Sequence, residues 1–183
     1  MDSDTLFQDL CSRVIHQLGK LQEHLIPLTE KYLLLQGFDT LTLFEDPEDE
    51  LFKDREEWAQ MTKEERLQSN LNALLGLEKK LEKMVVQHSN QTSSRENGLF
   101  GGLQDVLAQV AALKSNMTRI GKIMRLSMDT ASSTEDDISK GDVFDEKVEG
   151  YKVLKRLSFW VIRSLPDMRK LHGYNGAEKK TIS

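Results

Sequence analysis

From Phe7 to Leu35 the apolar residues Phe7, Cys11, Val14, Leu18, Leu21, Leu25, Leu28, Tyr32 and Leu35 recur at alternating spacings of four and three without a miss. That period marks one face of a helix, and over about 29 residues it gives a rod of about 43 Å at 1.5 Å per residue. An ordinary globular helix has only about 11–12 residues. A chain of 183 residues can bury so long a stripe only against other rods of similar length. The seam therefore predicts an all-α fold, a long-chain four-helix bundle.

Three further helices are expected. Gly37 is a favourable C-cap for the first, and Pro27 inside it predicts a bend rather than a break, because the seam continues in phase. The second opens at Thr62, which with Glu65 forms a capping box, and runs through Leu67, Leu71, Leu74, Leu81 and Val85 to about His88. The third uses Leu99, Leu103, Val106, Val110, Leu113, Met117, Ile120 and Met124. The fourth runs from about Asp145 to Leu171 on Val148, Tyr151, Leu154, Leu157, Val161, Leu165 and Met168, with Pro166 weakening its final turns.

The connections decide the topology. Residues 38–61 carry no sustained period and read as a surface loop, with Leu41, Leu43, Phe44, Leu51 and Phe52 available to dock it on the bundle. Residues 127–142 are polar and acidic and read as a second loop. Both are long enough to cross a helix length of about 42 Å, whereas the connector at 89–97 reaches only about 30 Å at about 3.3 Å per residue. Long, short, long predicts an up-up-down-down bundle with two long crossover loops. The reading is one domain over residues 1–172, followed by a flexible C-terminal tail at 173–183.

Charge and cysteine content narrow the function. The formal net charge is −5, which disfavours non-specific nucleic-acid binding. It is unevenly placed, acidic from Glu45 to Glu57 and rich in Lys and Arg from Lys147 to Lys170, so that one face is able to steer a partner. The single cysteine, Cys11, lies on the apolar seam and is expected to be a buried small hydrophobe. The acidic opening Met1-Asp2-Ser3-Asp4 does not read as a signal peptide, and no apolar run approaches about 20 residues, so a cytoplasmic protein without membrane insertion is expected.

Little in the chain points to catalysis. His16 and His24 are too far apart on one helix to share a metal, no Glu-x-x-His pair is present, and neither Cys-x-x-Cys nor a phosphate-loop lysine occurs. No enzyme activity, cofactor or metal site is expected. What remains are aromatics and cations. Phe144 and Lys147 share one face of the opening turn of the fourth helix, where lysine opposes the helix dipole. Phe144 reads either as a plug over the core or as a contact for a partner. Trp58 either covers the bundle edge or anchors a partner. Trp160 falls off the main stripe and is expected to be partly buried, while Arg163, Asp167 and Arg169 extend a charged, solvated face.

Taken in order, several segments resemble the interleukin-6-type four-helix cytokines and, among them, the neurotrophic members. They are Leu-Cys-Ser-Arg at 10–13, Leu-Thr-Glu-Lys-Tyr at 28–32, Gln36-Gly37, Trp58, Glu-Glu-Arg-Leu-Gln-Ser-Asn-Leu at 64–71, Gln-Val-Ala-Ala at 109–112 and Lys-Val-Leu-Lys-Arg-Leu-Ser-Phe-Trp-Val-Ile-Arg-Ser at 152–164. The resemblance covers the first, second and fourth helices best. It implies a ligand that binds cytokine receptor ectodomains, supports neuronal survival and differentiation through Janus kinases, and leaves the cytoplasm by non-classical release. Phe144 and Lys147 match a Phe-x-x-Lys motif implied to engage the leukaemia inhibitory factor receptor. Trp58, Arg163 and Arg169 match the region implied to contact a non-signalling alpha receptor. Lys20 and His24 are the implied contacts for the shared glycoprotein signal transducer, His24 standing where the family carries an acid. The alternatives are a cardiotrophin-like paralogue with different receptor usage, or an intracellular helical scaffold.

Overall fold

The computed structural model describes the backbone over residues 3–37, 55–126 and 143–181, with side chains over 3–37, 56–126 and 146–173. Six helices occupy these segments: α1 (Ser3–Gln36), α2 (Arg55–Gln60), α3 (Lys63–Ser89), α4 (Thr92–Glu96), α5 (Leu99–Ile123) and α6 (Val143–Thr181). The four long ones are the expected rods. The two short ones lie where only loops were expected, and neither is long enough to show a period.

α1 buries Phe7, Leu10, Cys11, Val14, Leu18, Leu21, Leu25, Leu28 and Tyr32. Leu35, the last residue of the expected seam, is 45% exposed at the helix end. Gly37 follows with a φ of 73°, the left-handed conformation that ends a helix at little cost to glycine. Pro27 does not break α1. Pro27 and Glu23, whose carbonyl loses its partner, both lie on the exposed face, so water can satisfy the freed oxygen. Pro166 is accommodated in α6 in the same way, with Ile162 at 53% exposure. The helical backbone of α6 continues past the expected end at Leu171 to Thr181, and side chains beyond Gly173 lie outside the described residues.

The Thr62 cap forms, its hydroxyl oxygen accepting from Glu65 N at 3.1 Å. The Glu65 carboxylate accepts from the Thr62 hydroxyl at 3.3 Å, where a bond to the Thr62 backbone was expected. α3 then buries Leu67, Leu71, Leu74, Leu77, Leu81 and Met84, and α5 buries Leu99 through Ile120 at the expected spacings.

Named contacts fix the directions of the helices. Gln8 at the start of α1 donates to the His172 carbonyl near the far end of α6 at 3.4 Å, while Tyr32 at the end of α1 donates to the Lys147 carbonyl at 2.8 Å. α1 and α6 are therefore antiparallel. α1 also runs against α5, because Asn116 meets Gln17 at 3.1 Å and Gln109 meets His24 at 2.6 Å. α3 is joined to α5 through the short α4, and a Lys114–Glu78 ion pair of 2.7 Å ties their middles. Asn70 near the start of α3 reaches Asp167 near the end of the described part of α6 at 3.1 Å. α1 and α3 thus point one way and α5 and α6 the other, each packing against both members of the opposite pair. This is the up-up-down-down bundle. Its core is one continuous apolar cluster with contributions from all four rods.

Candidate functional site

The two ends of the bundle carry different chemistry. At one end, α2 sits over the junction of α3 and α6. The indole ring of Trp58 lies 4.3 Å from the guanidinium carbon of Arg163, a stacked cation–π arrangement. Its Nε1 donates to both oxygens of Asp167, at 3.1 and 3.2 Å. Asp167 also accepts from Asn70 Nδ2 at 3.1 Å and pairs with Arg66 at 3.5 Å, its side chain only 9% exposed. Arg66 in turn donates to the carbonyls of Trp58 and Ala59, at 3.1 and 3.3 Å, and so holds the end of α2 against α3. One carboxylate therefore gathers donors from α2 and α3 and fixes the ring that covers Arg163.

The ring of Trp58 covers the edge of the bundle, an arrangement that fits both sequence readings of this residue. It remains half-buried, with one face against Arg163. Trp160 departs from its expectation. It is 1% exposed, and its Nε1 donates to the Asn70 carbonyl at 2.9 Å, so it is a core residue under the same cluster. Arg169 is exposed on α6 outside these contacts. Sequence reasoning passed over Arg66 and Asn70. The signal was there, since Asn70 is a polar residue at core spacing between Leu67, Leu71 and Leu74.

At the opposite end, Phe144 and Lys147 fall in the first turns of α6. The side chain of Phe144 lies outside the described residues, and Lys147 is half-buried. The turn is tied to α1 by the bond from Tyr32 Oη to the Lys147 carbonyl. Gly150 makes that approach possible, because a Cβ there would meet the Tyr32 hydroxyl and lie 3.1 Å from Met84 Cε. Behind Tyr32 sits His88, with ring centres 6.0 Å apart in an edge contact and Nδ1 2.7 Å from Ser94 Oγ. Burial holds the His88 pKa below the usual histidine value and pushes that of Tyr32 up, the Glu146 charge adding to the latter.

On the flank, Lys20 and His24 are exposed and one turn apart on α1. The His24 contact with Gln109 places them beside the exposed side of α5. Trp58 and Arg163 thus meet at one end of the bundle, Lys147 lies at the other and Lys20 and His24 on the flank, with Arg169 outside the Trp58 contacts.

Among the described residues no cluster of three histidine, cysteine or acidic side chains could hold a metal ion. No helix is long and apolar enough to cross a membrane among the described residues.

Comparison with known proteins identifies the lineage. A family profile described as "Ciliary neurotrophic factor" matches residues 3–181. The human protein named ciliary neurotrophic factor is 27% identical over 164 residues, covering 88% of this chain and 82% of the human one. The rabbit protein of that name (Oryctolagus cuniculus) is 27% identical over 163 residues, with the same coverage of 88% and 82%. The pig relative (Sus scrofa) is 26% identical over 169 residues, 91% of this chain and 84% of its own. With a profile match from the first turn of α1 to the last residue of α6, the chain belongs to the ciliary neurotrophic factor family.

Proposed function

We propose that this chain acts by holding receptors together, with one receptor for each of its three surface groups. Family membership makes it a neurotrophic cytokine, a signalling ligand and not an enzyme. The Trp58–Arg163 face, extended by Arg169, takes an alpha receptor. Phe144 and Lys147 take the leukaemia inhibitory factor receptor. Lys20 and His24, on the face shared by α1 and α5, take the shared glycoprotein signal transducer. Bridging the last two receptors activates their associated Janus kinases and supports neuronal survival and differentiation. Storage in the cytoplasm with non-classical release belongs to the same proposal and rests on the likeness to the family.

The observation that carries this reading is the pairing of Trp58 with Arg163 at 4.3 Å. Trp58 is half-buried, so part of its ring stays open to a partner. Stacked on an arginine and pinned by a carboxylate, it becomes a rigid surface anchor of the type enriched at protein interfaces. The closed apolar core disfavours a helical scaffold that needs a partner helix to complete it.

The test is binding to immobilised alpha-receptor and leukaemia inhibitory factor receptor ectodomains. Trp58→Ala should weaken only the first and Phe144→Ala/Lys147→Ala only the second, each by tenfold or more, with helicity unchanged. If folded wild-type protein binds neither ectodomain, the receptor assignment is wrong.

A further inference from the structure

Tyr32 closes the buried stripe of α1 and is only 1% exposed, and its hydroxyl reaches across to the backbone of α6. The acceptor is the carbonyl of Lys147, at 2.8 Å. In an α-helix that carbonyl also accepts from the amide four residues on, so the phenol takes its second lone pair and completes no helix bond. Burial and the Glu146 charge push the Tyr32 pKa up, so the hydroxyl stays a donor at physiological pH. The ring is fixed on two further sides. A Cβ at Gly150 would stand 2.9 Å from Tyr32 Cζ, so glycine lets α6 come down onto the hydroxyl. His88 meets the ring edge and is itself held 2.7 Å from Ser94 Oγ. The companion bond between the two helices, from Gln8 to the His172 carbonyl, lies at the other end of the bundle.

We propose that Tyr32 is a positioning residue for receptor binding: it touches no receptor itself, and from α1 it sets the rotation and height of the opening turns of α6 and so aims the Lys147 side chain. This role rests on the assignment of Lys147 to the leukaemia inhibitory factor receptor given above and names what holds that contact in place. The bond falls on the backbone of the same residue whose side chain is assigned to the receptor, so a rotation of α6 moves both together. Lysine is long and flexible, and an interface that uses it gains when its freedom is already limited. A fixed backbone and a half-buried stem lower the ordering cost that binding would otherwise meet.

The experiment is a double-mutant cycle on immobilised receptor ectodomains, with circular dichroism to check folding. Tyr32→Phe keeps the ring and leaves the Lys147 carbonyl its helix partner, so the bond is removed without an unpaired acceptor. It should weaken binding to the leukaemia inhibitory factor receptor about fivefold or more and change alpha-receptor affinity less than about twofold. Lys147→Ala leaves the carbonyl in place and should weaken the same binding. The double variant should bind no more weakly than Lys147→Ala alone, because a residue that acts only through Lys147 has nothing left to aim. Amide exchange over residues 146–151 should quicken in Tyr32→Phe. Val110→Ala, a truncation at a 0% exposed position in the middle of α5, shows what lost stability does by itself and should leave both affinities unchanged. Full affinity in Tyr32→Phe beside a loss in Lys147→Ala, or losses that add in the double variant, overturns the positioning role alone. Full affinity in Lys147→Ala overturns the assignment of Lys147 and this role with it.

Discussion

Trp58 and Asp167 are 109 positions apart in the chain, yet the indole Nε1 of one donates to the carboxylate of the other at 3.1 Å. That bond sets the plane of the ring, and the plane presents its face to Arg163 at 4.3 Å. Removing the carboxylate should therefore release the ring as well as destabilise the fold. Asp167→Leu leaves the donors of Arg66, Asn70 and Trp58 without their acceptor, at a cost of about 2 kcal/mol, since the partly exposed Arg66 recovers some hydration. Acrylamide quenching of tryptophan fluorescence reads the ring directly, because Trp160 is 1% exposed and contributes little. Quenching should rise in Asp167→Leu and less so in Asp167→Asn. Unchanged quenching would mean that packing alone holds Trp58.

Two glycines in helices should respond in opposite directions to alanine. At Gly76, in the middle of α3, nothing lies within 4 Å of where a Cβ would stand, so Gly76→Ala should stabilise by about 1 kcal/mol through helix propensity. Gly150 faces the Tyr32 hydroxyl and Met84, so Gly150→Ala should destabilise by about 1–3 kcal/mol despite the same propensity gain. Urea denaturation midpoints decide both signs.

His88 should make the protein sensitive to mild acid. Burial lowers its pKa in the folded state below the ordinary value of 6.5, so the unfolded chain binds the proton more readily. Its contribution is complete above about pH 6.5 and is lost as the pH falls through the lower, folded-state value. Its two described contacts, the Tyr32 ring edge and the Ser94 hydroxyl, are uncharged. Thermal unfolding between pH 7 and 5 should show a steeper loss for wild type than for His88→Gln. Parallel slopes would assign the acid sensitivity to other groups.

Cys11 should be chemically silent in the native state. It is 0% exposed, and burial pushes its thiol up to about 12, so almost no thiolate forms at neutral pH. Ellman's reagent should label it only after denaturant is added, and the labelling rate should follow the unfolding curve. Rapid labelling of native protein would show that α1 opens locally at its N-terminal half.

The long helices were legible because their faces repeat. From Phe7 to Tyr32 each seam residue is buried, and only Leu35, in the last turn of the helix, is 45% exposed. α2 and α4, six and five residues long, were not legible, since neither spans two turns. The candidate site was half legible. Residue type drew attention to Trp58, and the family resemblance grouped it with Arg163 and Arg169, but nothing local in the chain shows that Asp167 joins Trp58 to Asn70. Such a contact depends on α2 arriving from a distant crossover, which no periodicity encodes. The acidic run at 45–57 and the docking residues Leu41, Leu43, Phe44, Leu51 and Phe52 fall wholly or largely outside the described residues.

The fastening of α2 to α3 and α6 has a practical consequence for mimicry. The surface around Trp58 is a discontinuous epitope, and its pieces acquire their shape only from one another. A synthetic peptide copied from α6 would carry Arg163 and Asp167 but no ring to order them, and one copied from residues 55–70 would carry the ring without its pin. A miniature that reproduces this face must staple the two segments side by side, and antibodies raised against either strip alone should recognise unfolded chain in preference to the native protein.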